Sequence, residues 1–454
     1  MKNQSAVAVE VTVAQTVWRD SFGAFMNLVA DCFPRRESRQ TLREMVEAVL
    51  MGLERLNCWT LAEALGHSGP HRLQHFLSRA VWDHGAVREQ VASFAVGHLA
   101  DAQAVLVVDE TGDEKSSTDA VGAARQYSGA LGGVGLCQVA VHLTYASAAG
   151  SALVDRALYL TREWAFDEER RMLAGVPDEL AFATKPQQAA VLLARARAQG
   201  FPARWVAADE VYGGRDLRRR IRELGFDYAI AVPATHRVNT PAGRLATAAV
   251  LAKLPRRAWQ RMRTGHGTKG DRHYDWAMIE VIGDDTPPSH EAEAGHNFLL
   301  ARRHRYTRQL SFYRCHSATP VTLATLVDVV CTRWRVEEDF QTAKSLTGLD
   351  QGQVTCWKSW HRWSLISLIA AALLSVSTAR HHDTDPTHTD EPEPATAVMI
   401  PLTRPELLRI LRAFALPQPV TTPEHILHWS RWRRHHQFQA ATCHRRWNET
   451  TAAT

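Results

Sequence analysis

Apolar residues recur at helical spacing through the first hundred positions, and the pattern predicts helices over Ser38 to Leu53 and Val87 to Leu99. Between them, TLAEALGHSGPHRLQHFLSR (Thr60 to Arg79) reads as a short helix, a break at Gly66 to Pro70, and a second helix carrying His71, Arg72, His75 and Arg79. That outline fits a DNA-binding helix-turn-helix and equally an ordinary helical hairpin. From Asp101 the period changes to that of strands. AVLVVDET (Ala104 to Thr111) is an apolar, β-branched run that meets a carboxylate at Asp109, which predicts a strand buried on both faces and ending there. Leu136 to Tyr145 and Asp155 to Leu160 follow as strands after a Gly- and charge-rich loop, so a three-stranded meander is expected. A helix over Lys185 to Gln199, a strand over Arg204 to Asp209, a helix over Asp216 to Leu224 and a strand over Asp227 to Val232 complete the series. Two of these strands deliver an acid at their ends.

Residues 234–310 break the regularity. They are basic and aromatic, and MIEVIG, FLLARR and QLSFYRC look like further strands, so a β-rich insertion is expected. Helices are predicted over Leu323 to Ser345 and Trp357 to Ser377, then a polar, Pro-rich linker over 380–397, then helices over Arg404 to Phe414 and Pro423 to Trp447. The expected organisation is a helical DNA-binding module (1–100), a core in two parts (101–233 and 311–379) divided by the insertion (234–310), the linker (380–397) and a basic helical module (398–454).

Composition narrows the function classes. The net charge of +5 with 22 His permits a polyanionic partner without requiring one. The seven Cys form no C-x-x-C pair and are odd in number, so neither a zinc ribbon nor a disulfide framework is indicated, and the paired His at His381 and His435 lack ligand spacing. The N-terminus lacks the basic start and apolar core of a signal peptide, and the longest apolar run, Leu365 to Leu374, is too short to span a bilayer, so no membrane partner is expected.

An acid at the mouth of a buried strand costs several kcal/mol unless a cation, hydrogen bonds or a metal hold it, although Asp-Glu-Thr-Gly is also good turn chemistry. In TRWRVEEDFQTAKSLTGLD, Arg333, Glu337, Phe340 and Lys344 fall within one arc of a helix, with Glu338 on the far side. Such spacing also makes salt-bridged surface helices. Here the chain resembles bacterial insertion-sequence transposases of the DDE type: the helix matches their R-x3-E-x6-K signature, while DET at Asp109 and ADEVYG at Asp209 match their first and second acidic motifs. The resemblance covers roughly Ala104 to Trp363. Where the family often has Tyr three residues before the Arg, this chain has Val330.

The resemblance implies an α/β fold: a ribonuclease-H-like mixed sheet with flanking helices, a β-rich insertion, and helical N- and C-terminal modules. It implies that Asp109, Asp209 and Glu337 are catalytic and hold two Mg²⁺ ions, with Mn²⁺ as a substitute, Asp109 bridging both. Two metals suit in-line displacement at phosphorus, and Mg²⁺ prefers hard oxygen ligands. It further implies double-stranded DNA as partner, both the element's terminal inverted repeats and the target, a homodimer in the synaptic complex, and a cytoplasmic, nucleoid-associated location. Arg333 and Lys344 are expected on phosphates. Arg256, Arg257, Arg261, Arg263, Lys269, Arg272 and Trp276 of the insertion are further candidate DNA contacts, aromatic rings among the charges being suited to stacking on bases. Arg431, Arg433 and Arg434 of the Trp- and Arg-rich tail are candidates too, against packing of that helix on the body. Glu110, Asp113, Glu114 and Glu210 compete with their neighbours for the acidic roles. Two other functions remain open: a catalytically inactive, transposase-derived DNA-binding protein, and an aspartyl phosphotransferase, which would want an acid where Thr111 stands.

Overall fold

The α-helices described before the first strand are α1 (Lys2–Leu28), α2 (Arg36–Leu50), α3 (Cys58–Ala64), α4 (His71–Ser78) and α5 (His84–Leu99), and polar side chains cap the starts of α3 and α5. Asn57 accepts from the N–H groups of Trp59 and Thr60 at the start of α3, and Asp83 does the same for Gly85 and Ala86 at α5. Gly66, at a φ of +80°, turns the chain between α3 and α4, so the helix-break-helix is present. Arg72, exposed on α4, donates from its Nε to Thr41 Oγ1 at 3.0 Å. The computed structural model describes residues 2–267, 270–287, 295–384 and 400–451.

Next come β1 (Val105–Glu114), β2 (Ala124–Ser128), β3 (Gly133–Ser147), β4 (Gly150–Tyr159), the short helices α6 (Arg162–Ala165) and α7 (Glu168–Ala174), α8 (Lys185–Ala198), β5 (Trp205–Ala208), α9 (Arg215–Glu223) and β6 (Asp227–Val232). β1 runs antiparallel to β3, and β3 to β4. β5 lies parallel to β1, and β6 to β5. The order β4-β3-β1-β5-β6, three antiparallel strands followed by two parallel to the first, is that of a ribonuclease-H-like sheet. Contrary to the sequence reading, β1 does not end at Asp109. Its parallel neighbour stops at Ala208, but β3 keeps pairing from Asp109↔His142 to Glu114↔Cys137 and carries the strand onward. β2 lies in what the sequence presents as a loop. Its Ser128 occupies the space beside Gly112, where an added Cβ would come within 2.3 Å of Ser128 Oγ.

The insertion contributes a small hairpin of β7 (Arg237–Thr240) and β8 (Gly243–Ala246), a short helix α10 (Thr247–Ala252), and the strands β9 (Gln260–Gly267), β10 (Gly270–Glu280), β11 (His296–Arg303) and β12 (Leu310–Ser317). It continues the main sheet. β12 pairs antiparallel with β6, and β11, β10 and β9 follow, giving one sheet of ten strands.

α11 (Leu323–Thr332) and α12 (Arg335–Thr347) replace the single helix expected over Leu323 to Ser345. At the junction, the N–H groups of Trp334, Val336 and Glu337 bond three residues back, to Cys331, Arg333 and Trp334, a tightening to 3₁₀ geometry that a pattern of apolar positions does not register. α13 (Trp357–Thr384) is longer than its apolar run suggested. Over Trp357–Asp383 it is apolar and long enough to cross a membrane, yet 94% of its 18-residue apolar stretch is buried inside the protein. It packs against α1, α2, α4, α5, α12, β4 and α14 (Arg404–Phe414), and Ser and Thr in its core bond locally, as Thr378 Oγ1 does to Leu374 O at 2.8 Å. α15 (Pro423–Thr451) docks on α3 and α4, with Trp429 Nε1 donating to His67 O at 2.9 Å. Of the expected linker, 380–384 close α13 and 385–397 lie outside the described residues.

Candidate active site

Alternation along β1 sorts its acids. Val105 and Val107 pack with Leu326, Val330 and Phe340 of α11 and α12, whereas Leu106 and Val108 pack with Leu192 and Leu193 of α8. Successive side chains point to opposite faces, so Asp109 emerges on the α12 side and Glu110 on the α8 side. The contacts agree. Asp109 Oδ2 accepts from Arg333 Nη1 at 2.9 Å, and Asp113, four residues further along β1 on the same face, pairs with Lys344 Nζ at 3.0 Å. Glu110 Oε1 pairs with Lys185 Nζ at 2.8 Å, and Glu110 Oε2 accepts from Tyr212 Oη.

Asp209 follows Ala208, the register partner of Val108, so the two aspartates leave adjacent parallel strands one step beyond their last paired residues. Adjacent strands lie about 4.8 Å apart. Asp209 caps a turn over Glu210–Tyr212, its Oδ1 accepting from Val211 N–H at 2.9 Å. Gly213 is required there: a Cβ would stand 2.7 Å from the carbonyl oxygen of Ala231.

Burial pushes the Asp109 carboxyl up to about 7, with Arg333 pulling it down and the charge of Asp209 adding to the rise. Asp209 is raised as well, by burial first and then by Glu110. His142, opposite Asp109 in the register, is no counterion. Burial, Arg156 and Lys344 push it down to about 3, so it stays neutral. Two desolvated carboxylates sharing one guanidinium leave excess negative charge on hard oxygen donors, which fits a divalent cation. Glu337 is exposed on α12, one turn beyond Arg333. Among the described residues no group of three His, Cys, Asp or Glu side chains is placed to hold a metal.

Two family models match this chain, one described as a DDE superfamily endonuclease over residues 28–271 and one as a transposase DDE domain over residues 183–373. The chain belongs to the DDE superfamily of endonucleases. Members of this family work with divalent metal ions. A probable transposase for the insertion sequence element IS701 from Microchaete diplosiphon is 28% identical over 211 residues, 46% of this chain and 52% of the relative, so the match spans about half the relative's length. Among solved structures, a piggyBac transposase synaptic complex with hairpin DNA is similar at a TM-score of 0.38 and 10% identity, over 92% of this chain and 82% of that one.

The remaining candidates in this member of the DDE superfamily divide by burial. Arg256, Arg257, Arg261, Arg263 and Arg272 are exposed along the insertion, with Arg263 paired to Asp271 at 3.0 Å. Trp276 is corrected: it is fully buried, its ring centroid 6.1 Å from that of Tyr313, so it is core and cannot stack on bases. Lys269 lies outside the described residues. Arg431 and Arg434 are exposed on α15, whereas Arg433 is paired with Glu63 of α3 at 2.5 Å. Lys344, besides Asp113, donates to Gly112 O at 2.9 Å. Glu210 is exposed beside Asp209, and Glu114 at the end of β1. Sequence reasoning missed Tyr212 and Lys185. Their signals are present in retrospect: a Tyr three residues after the second acid, and a Lys opening the helix that covers β1.

Proposed function

We propose that this endonuclease is the transposase of an insertion sequence. It binds the terminal inverted repeats of its element, cuts the DNA strands there and joins the freed 3′-hydroxyl ends to target DNA, acting as a homodimer that holds two ends together in the cytoplasm, beside the nucleoid. The observation that carries this reading is the adjacent pair of Asp109, buried, and Asp209, half-buried, short of positive charge.

Asp109 and Asp209 would hold Mg²⁺ or Mn²⁺, two ions in all, with Glu337 completing the set. Bound divalent ions supply activation of the attacking oxygen and stabilisation of the leaving oxygen in a displacement at phosphorus. The chain's own side chains do the positioning. Arg333 fixes Asp109 Oδ2 and favours its ionised form. Arg333 and Lys344 both reach β1 from one flank of the α12 segment, at Asp109 and at Gly112 and Asp113, and Glu337 lies between them on that flank. This supports a role for Glu337 beside the aspartates once DNA and metal are bound. Lys344 and the exposed arginines of the insertion and tail would meet phosphates.

The test uses a DNA fragment carrying this reading frame with its native flanks, incubated with Mg²⁺. Wild-type protein should cut at the element ends, and Asp109→Asn, Asp209→Asn and Glu337→Gln should each abolish cutting while still binding the fragment. Cutting by Asp109→Asn at the wild-type rate would overturn the assignment. Wild-type binding without any cutting would indicate the inactive DNA-binding alternative.

A further inference from the structure

Glu110 and Tyr212 are neighbours of the two aspartates in sequence, yet neither is free to act on DNA. Tyr212 is completely buried, three residues past Asp209, at the end of the turn that Asp209 caps. Its hydroxyl donates to Glu110 Oε2, and Glu110 Oε1 is held by Lys185 from the first turn of α8. Thr184 caps that helix in a reciprocal pair with Gln187, which fixes the end of α8 from which Lys185 reaches Glu110. One carboxylate therefore ties together three elements: β1 one residue past Asp109, the turn that begins at Asp209, and the start of α8. β5 pairs with β1 only as far as Val108 and Ala208, so ladder hydrogen bonds no longer fix the spacing at the aspartates themselves. The side-chain link connects the two segments just beyond the ladder.

We infer that the Lys185–Glu110–Tyr212 link is a positioning device that sets the separation of Asp109 and Asp209 and thereby the affinity of the site for its divalent cation, an inference that rests on the acid pair being the cation site. Glu110 is thus a positioning residue on the opposite face of the sheet from the reaction. Each of its oxygens is engaged, one by Lys185 and one by Tyr212, and its side chain leaves the opposite face of β1 from Asp109, which is why it does not compete with Asp109 for the metal. Outer-shell partners of metal-binding carboxylates characteristically cost about 10- to 100-fold in metal affinity when removed.

The experiment is calorimetric titration of the full-length, DNA-free protein with Mn²⁺, alongside cleavage of the flanked DNA fragment over a range of Mn²⁺ concentrations. Tyr212→Phe removes one hydroxyl and no charge. It should weaken Mn²⁺ binding roughly 10- to 100-fold and raise the Mn²⁺ concentration needed for half-maximal cleavage in proportion, while cleavage at saturating Mn²⁺ and DNA binding stay at wild-type level. A purely structural role would instead lower the melting temperature and reduce cleavage at every Mn²⁺ concentration, which would overturn the inference. Lys185→Gln, which loosens the same carboxylate from its other oxygen, should shift Mn²⁺ binding in the same direction and serves if Tyr212→Phe does not fold. Asp109→Asn separates the two levels of the argument. If it loses Mn²⁺ binding while Tyr212→Phe and Lys185→Gln bind like wild type, the link has no positioning role; if Asp109→Asn binds Mn²⁺ like wild type, the acid-pair reading itself fails.

Discussion

Asp109 carries its charge in an unfavourable place. Its folded pKa lies above the ordinary carboxylate value, at about 7, because burial and the charge of Asp209 outweigh the pull of Arg333. The folded protein therefore keeps a proton that the unfolded chain gives up between about pH 4 and 7, and the contribution of Asp109 to stability is present at low pH and lost as pH rises through about 7. Asp209 is shifted in the same direction, so the two effects add. Metal-free protein should show a melting temperature that falls between about pH 4 and 7, with a shallower fall in Asp109→Asn. Equal slopes in the two proteins would contradict the account. A cation needs the ionised pair, so Mn²⁺ affinity should weaken as pH drops below about 7, by up to tenfold per pH unit for one proton displaced.

At the scale of elements, the insertion separates side chains that the sequence had grouped together. Trp276 is fully buried in the cluster with Phe298, Leu300 and Tyr313, whereas Arg263 and Arg272 project from the exposed face of the same hairpin. Trp276→Ala should destabilise the protein by about 3–5 kcal/mol in urea unfolding. Changing Arg256, Arg257, Arg263 and Arg272 together to Ala should leave stability nearly unaltered and reduce the salt slope of DNA binding by about one for each arginine that meets a phosphate. An unchanged slope would remove the insertion from the DNA path. The core strands and the positions of both aspartates were legible in the sequence because a strand segment buried on two faces reads as a continuous apolar run, and an acid that closes the run is conspicuous, even where, as at Asp109, the strand itself goes on. β2, β7 and β8 were not, being four or five residues long and largely polar. The break between α11 and α12 was hidden because one tight turn barely disturbs the spacing of apolar positions. Glu110 was separable from Asp109 only once Lys185 and Tyr212, distant in the chain, were seen on the other face.

Across the whole molecule, α13 and the extended sheet join what the sequence divided into modules. Neither could be read from local patterns: the edge of β6 does not announce that β12 pairs with it, and an apolar helix looks the same buried in protein or in lipid. The C-terminal helix shows the consequence for function. Trp429 is fully buried, and Arg433 is committed to Glu63, while Arg431 and Arg434 face outward. Arg433→Ala should speed hydrogen exchange in α15 without altering the salt dependence of DNA binding, and Arg431→Ala with Arg434→Ala should do the reverse. Matching behaviour of the two variants would show that the tail does not divide this way. The central claim, that Asp109 within β1 and Asp209 just past β5 form a divalent-cation site for DNA cleavage, is tested most directly by anomalous diffraction from crystals of the protein bound to DNA and Mn²⁺. Manganese peaks should be ligated by the carboxylates of Asp109 and Asp209, with Glu337 turned toward them; manganese bound elsewhere, with both aspartates unligated, would contradict it.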